Sequence, residues 1–225
     1  MHLLIWRLMQ KSTKITIFVC ILIILVSVGI GIYSCNLLPD KVASHWDASG
    51  NVNGYMSKFW GVFLMPIISV VMLVLFLWFP SLDPKKKNIE KFRIYYDIFI
   101  IVLMLFMFSI YLVTLLWNFG IKVNMNAFMI VAFFVLMFFI GVLLSKAKPN
   151  WFIGIRTPWT LSSEKVWKKT HELGGKLFKI CAFVCLAGLF FLNYAIFIIL
   201  ILLLGVVLFL VVYSYILYKK KWIIF

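Results

Sequence analysis

Runs of about 20 consecutive apolar residues constrain this chain more than any other feature, since a helix rising about 1.5 Å per residue needs that many to cross about 30 Å of hydrocarbon. Four runs meet that length, at 15–38, 59–79, 98–119 and 127–144. A fifth apolar stretch, 177–218, is long enough for two helices and breaks at Asn193-Tyr194. In lipid every backbone N–H and C=O must find a partner within the protein, which favours helices for such runs. The expected fold is therefore all-α, a polytopic membrane helix bundle with about six spans. The helix beginning at 177 carries Lys179, whose amine must snorkel to the interface. An unsplit 177–218 segment would reduce the count to five. Composition agrees: 65% of the 225 residues are apolar and 13% charged, against roughly 45–50% and about 25% in soluble domains.

Basic residues set the expected orientation. Arg7, Lys11 and Lys14 precede the first run, and Lys41 and Lys58 lie in the first loop. The second loop holds Lys85, Lys86, Lys87, Lys91 and Arg93, the third only Lys122. Eight more lie between 146 and 179, none at Asn193, and Lys219, Lys220 and Lys221 follow the last run. With both termini in the cytoplasm, 19 of the 22 basic residues fall inside and 3 outside, as the positive-inside rule requires. The formal charge of +15 thus reads as a topology signal with weak attraction to anionic lipid, and no direct nucleic-acid partner is expected. The expected organisation is a basic cytoplasmic stretch over 1–14, a membrane half over 15–119 with an outer loop at 39–58, and a second half over 120–225 with a cytoplasmic amphipathic loop at 145–176.

The outer loop carries Pro39, His45, Trp46, Asp47, Gly50, Asn53, Gly54 and Tyr55. Gly50 and Asn53-Gly54 are residues that supply positive φ in turns. His45 and Asp47 are two apart and share a face of an extended segment. One histidine and one carboxylate do not complete a zinc site. The series Asp47, Ser49, Asn51, Asn53 resembles a calcium loop loosely, with one carboxylate and a misplaced glycine. A folded turn whose polar groups satisfy one another, with Trp46 and Tyr55 at the headgroup level, accounts for the loop; metal binding and recognition of something outside are the other readings.

The inner loop runs from Asn150 through Gly154, Arg156, Thr157, Pro158, Trp159 and Thr160 to Gly174-Gly175. Ser162 or Ser163 can cap a helix that has Glu164 in its first turn. On that helix Lys165, Lys168, Lys169, Glu172 and Lys176 form one stripe, and Val166, Trp167, Thr170, His171 and Gly174 the other. The expectation is an amphipathic helix lying on the inner leaflet, with a partner-docking surface or a ligand role as alternatives. Arg156 is flanked by aromatic, Gly and Pro residues and suits a phosphate, a carboxylate or a lipid headgroup. His171 reads as a hydrogen-bonded structural residue.

No nucleophile motif, P-loop, HExxH or dinucleotide fingerprint occurs, and no catalytic residue, metal or cofactor is expected. Cys20, Cys35, Cys181 and Cys185 form no C-x-x-C pair and read as packing residues. The first run is too long for a signal h-region and reads as a retained anchor. No Asp, Glu, Arg or His lies at the centre of a run, which argues against an ion-coupled pump. Pro66 is expected to kink the second helix in a packing role.

Two strings carry a family resemblance. Leu38-Pro39, His45-Trp46, Gly50 and Gly54-Tyr55, and then Asn150-Trp151-Phe152-Ile153-Gly154-Ile155-Arg156-Thr157-Pro158-Trp159-Thr160 with Trp167 and Thr170-His171, resemble the bacterial SdpI family of membrane immunity proteins. The resemblance spans about 40–220 and does not explain Met1–Lys14. It implies a multipass, non-enzymatic protein of the cytoplasmic membrane. Such a protein protects its producer from a secreted antimicrobial peptide toxin met at the outer face, and it can hold a cytoplasmic transcriptional repressor at the inner loop. A permease for a small or lipid-like molecule and a membrane enzyme using Arg156, His171 or the His45–Asp47 pair are the competing readings.

Overall fold

The computed structural model describes residues 2–223, with side chains from 12 to 220. Six of its helices are long and apolar enough to cross a membrane. They are α1 (His2–Cys35), α2 (Lys58–Leu82), α4 (Arg93–Asn118), α5 (Met125–Lys146), α7 (Glu164–Leu186) and α8 (Ala195–Ile223), with short helices α3 (Lys86–Glu90) and α6 (Pro158–Leu161) between them. The expected separate stretch at 1–14 is continuous with the first span: α1 has no break at Lys14. The side chains of Arg7 and Lys11 lie outside the described residues.

The helices form two halves that meet along α4 and α5. α4 packs on α1 and α2, and α5 on α7 and α8. Tyr111 Oη donates to the Ser27 carbonyl of α1, and Tyr96 Oη to the Phe76 carbonyl of α2. A hydrogen bond on each side of α4 thus adds direction to packing that lipid alone would not drive. α5 and α7 approach closely because glycines face each other. A Cβ on Gly141 would stand 2.9 Å from the Gly175 carbonyl oxygen, and one on Gly175 would stand 2.8 Å from the Gly141 carbonyl oxygen. At the edge of α4, Asp97 is 1% exposed. It accepts from Arg93 Nε at 2.7 Å, Ser12 Oγ at 2.7 Å and Thr13 Oγ1 at 2.9 Å, a paired and fully hydrogen-bonded buried carboxylate.

Two expectations change. The 164–176 segment does not lie on a leaflet as a helix of its own. It is the first half of α7, the same helix that carries the fifth candidate span, so that helix begins at Glu164 rather than 177. The predicted stripes are real: Lys165, Lys168, Lys169, Glu172 and Lys176 are exposed, whereas Val166, Trp167, Thr170, His171 and Gly174 are buried. The buried stripe, however, meets α5 and the preceding loop rather than lipid. Trp167 Nε1 donates to the Ala147 carbonyl at the end of α5. The amphipathic loop therefore contracts to 147–163. After α7 the chain turns through two 3-10 segments, Ala187–Phe190 and Leu192–Tyr194, at the predicted break.

The second change is in the 39–58 loop, the departure from helix among the described residues. It forms an antiparallel hairpin of β1 (Lys41–Trp46) and β2 (Val52–Ser57), with irregular register around His45. Gly50 turns the chain at φ +84°. Asn53-Gly54 is not the turn. Gly54 lies inside β2 opposite His45, where a Cβ would come within 2.8 Å of His45 Cβ.

Candidate functional site

The threading of the helices puts the two residue clusters at opposite ends of the bundle, separated by the length of α5, roughly 30 Å. His45, Trp46, Gly50 and Gly54 sit at the hairpin end; Asn150, Gly154, Arg156, Thr157, Pro158, Trp159, Thr160, Trp167 and His171 come together at the other.

At the hairpin end the backbone is the element being held. The Asn118 side chain, closing α4, accepts from the Ala43 N–H at 2.8 Å and donates back to the Ala43 carbonyl at 3.0 Å, as a neighbouring strand would. Asn126, opening α5, donates to the Ala48 carbonyl at 3.0 Å and to the Leu192 carbonyl at 2.9 Å. Asp47 does not pair with His45. Its Oδ1 accepts the Ser49 and Asn51 N–H groups at 2.9 Å and folds the turn. Exposed His45 meets Asn53 Oδ1 through Nδ1 at 2.5 Å. Trp46 sets its edge on Trp117 at 5.7 Å. Its Nε1–H is buried without an acceptor among the described residues. Pro39 is exposed at the start of the hairpin. No group of three His, Cys, Asp or Glu residues is placed to hold a metal among the described residues.

At the other end the 147–163 loop is built around buried side chains. Asn150 is 1% exposed. Its Oδ1 accepts from the Phe152 and Ile153 N–H groups, and its Nδ2 donates to the Lys148 and Ile153 carbonyls. That uses both ends of the amide to shape one turn. Asp83, just past α2, accepts the Trp151 N–H at 2.8 Å, and Asn88 donates to the Pro149 carbonyl at 2.9 Å. These two bonds tie the second half of the chain to the first.

His171 is the anchor. It is 2% exposed, and its ring stacks on Trp167 with centroids 3.9 Å apart. Nδ1–H donates to the Trp167 carbonyl at 2.9 Å, so Nε2 is left as the acceptor for the Ile155 N–H at 3.0 Å. A carbonyl cannot donate and an amide N–H cannot accept, which fixes the neutral Nδ1–H tautomer. Gly154 passes the Nε2 edge of this imidazole at φ +118°. A Cβ there would collide with His171 Nε2. Only glycine meets both the left-handed φ and the close approach.

The rest of the string docks α6 on α8. Thr157 and Thr160 form a reciprocal cap with Pro158 at the first helical position. Thr157 Oγ1 lies 3.0 Å from Ser214 Oγ, and Trp159 packs on Tyr215 at 5.1 Å. Arg156 is exposed and gives one N–H to the Trp151 carbonyl at 2.8 Å. It borders an open cavity of about 480 Å³ between α2, α4, α5, α7 and α8, whose walls are mainly aromatic and aliphatic. A smaller cavity of about 260 Å³ lies under the hairpin beside Trp46.

Sequence reasoning passed over Asp83, Asn88, Asn118, Asn126 and Ser214. Each acts on a partner more than 50 residues away, and spacing along the chain carries no trace of that. Asn118 and Asn126 did carry a weak local signal, as polar residues at the ends of apolar runs.

The 146–215 segment matches the model of the SdpI/YfhL protein family, and 22–70 matches a domain of unknown function (DUF1648). The chain is similar to "Immunity protein SdpI" of Bacillus subtilis (strain 168). The two are 30% identical over 213 residues, which are 94% of this chain and 98% of the relative. No solved structure matches the chain. With a relative aligned over nearly its whole length, and with six helices fit to span a bilayer, this chain belongs to the SdpI family and is a multipass protein of the cell membrane.

Proposed function

We propose that the protein is a non-enzymatic immunity protein that protects its host cell from a secreted antimicrobial peptide. The observation that carries this reading is the end-to-end similarity to a protein named for immunity.

The distribution of 19 basic residues against 3 supports an orientation with the hairpin outside and both termini in the cytoplasm. The hairpin is then the part a secreted peptide reaches first. Reporter fusions at Gly50, Val123 and Tyr194 read as outside and one at Thr160 as inside.

The test of function is deletion of the gene in its own host, followed by challenge with culture supernatant of the parent strain. The deletion strain is inhibited at dilutions the parent tolerates, and a plasmid copy of the chain restores tolerance. Equal tolerance in parent and deletion strains overturns the reading.

A further inference from the structure

We propose that the 480 Å³ cavity is the binding site for one acyl chain of an anionic phospholipid whose phosphate is held by Arg156. The proposal stands apart from the immunity reading and would hold for a family member with any role.

The size and the walls select the chain. Ligand cavities generally measure about 300–1,000 Å³, and this one falls within that range. Phe76, Phe79, Phe99, Leu144 and Val207 are among its walls, contributed by α2, α4, α5 and α8. A peptide segment in that space would leave its N–H and C=O groups without partners, at a cost of several kcal/mol each in an apolar environment. A hydrocarbon chain has no such groups. Inside a bilayer it is also the molecule always at hand.

The rim selects the headgroup. Arg156 and its neighbours Ile153, Gly154, Ile155 and Thr157 line the cavity. A guanidinium carries five N–H donors, and Arg156 uses one of them, on the Trp151 carbonyl. The others have no acceptor among the described residues. A planar fork with free donors matches two phosphate oxygens. It lies at the end of the bundle where Lys146, Lys148, Lys165, Lys168 and Lys169 outnumber Glu164 and Glu172, so the net local charge favours an anionic over a zwitterionic lipid. Arg156 itself is held in place. The glycine before Ile155 is locked under His171, and Thr157 is locked on Ser214.

The test is native mass spectrometry of the full-length protein in detergent, with phosphatidylglycerol, phosphatidylcholine or glycerophosphate added. Wild type retains one phosphatidylglycerol in preference to phosphatidylcholine, and retains no glycerophosphate, which has the phosphate without the chain. Loss of a bidentate charged contact in Arg156→Gln lowers phosphatidylglycerol retention about tenfold. Val207→Trp places a large ring from a half-exposed position at the cavity wall and lowers retention of both lipids. Elution volume and helical circular dichroism confirm that each variant is folded. Equal retention of the two lipids by wild type, or unchanged phosphatidylglycerol retention in Arg156→Gln, overturns the proposal. So does retention of glycerophosphate, which would leave Arg156 as a free-phosphate site.

Discussion

The hairpin between α1 and α2 and the 147–163 loop between α5 and α7 have similar lengths and opposite construction. In the hairpin, bundle side chains reach out to hold strand and turn backbone: Asn118 on Ala43, Asn126 on Ala48. Of its own polar side chains, Lys41, His45, Ser49, Asn51 and Asn53 are exposed. In the loop, side chains of the loop and of α7 turn inward. Asn150, Thr157, Thr160, Trp167 and His171 are all buried and hydrogen-bonded. Buried polar groups are costly to leave unpaired, so the loop tolerates few changes, and the hairpin tolerates them at its exposed positions such as Lys41, His45, Ser49 and Asn51. A surface held from outside can present varied side chains; one built from inside presents a fixed shape.

Substitutions at matched positions can break this contrast. The largest effect is expected for Gly154→Ala. The left-handed φ costs about 1–3 kcal/mol in a non-glycine residue, and the clash with Nε2 breaks the bond from the Ile155 N–H for about 1–3 more. Denaturant titration in mixed micelles should show the loss, with new protease cleavage near Gly154. Gly120→Ala, at φ +92° with no atom within 4 Å of the added Cβ, should cost only the backbone part, about 1–3 kcal/mol, without the lost hydrogen bond. Similar costs at the two glycines would mean the loop is not locked on His171.

The two histidines come next. His171→Ala removes a stacked, fully buried ring and orphans the Ile155 N–H, for about 2–4 kcal/mol. His45→Ala, at an exposed position, should stay within about 0.5 kcal/mol of wild type. Comparable losses would place the hairpin on the same footing as the loop.

Asn118→Ala and Asn126→Ala probe the hairpin's attachment. Each deletes two hydrogen bonds to it or to its neighbours, worth about 1–2 kcal/mol together, and the effect should be local. Hydrogen exchange should quicken over 41–57 and stay unchanged over 150–160. Quickening at both ends would show that the halves open together.

Arg156→Lys should have the smallest effect on stability, under about 0.5 kcal/mol, because the side chain is exposed and its bond to the Trp151 carbonyl is one a lysine can remake. A drop in protein level in the membrane would assign Arg156 a structural role that its exposure does not suggest.

The legibility of the chain follows the same division. The six spans and the turn near Asn193 were readable because lipid as a solvent imposes length and apolarity on each span independently of the others. The glycine and threonine pattern of 154–160 was readable as a motif, and the two faces of 164–176 as stripes. Amphipathicity alone does not say what the apolar face meets, so the segment read as resting on a leaflet. In fact Trp167 and His171 are buried in protein. Asn53-Gly54 looked like a turn because glycine serves equally for positive φ and for close approach, and only the register opposite His45 separates the two.

By itself the sequence determined that the chain crosses a membrane about six times and which string would carry specific geometry. These are properties of local composition and period. Tertiary structure alone decided that His171 accepts from Ile155, that Asp83 and Asn88 clasp a loop more than 60 residues away, and that aromatic side chains from separate helices enclose a cavity with Arg156 at its rim. Those depend on which helix faces which. Between helices in lipid, small residues and single hydrogen bonds decide that, and they leave no periodic signal along the chain.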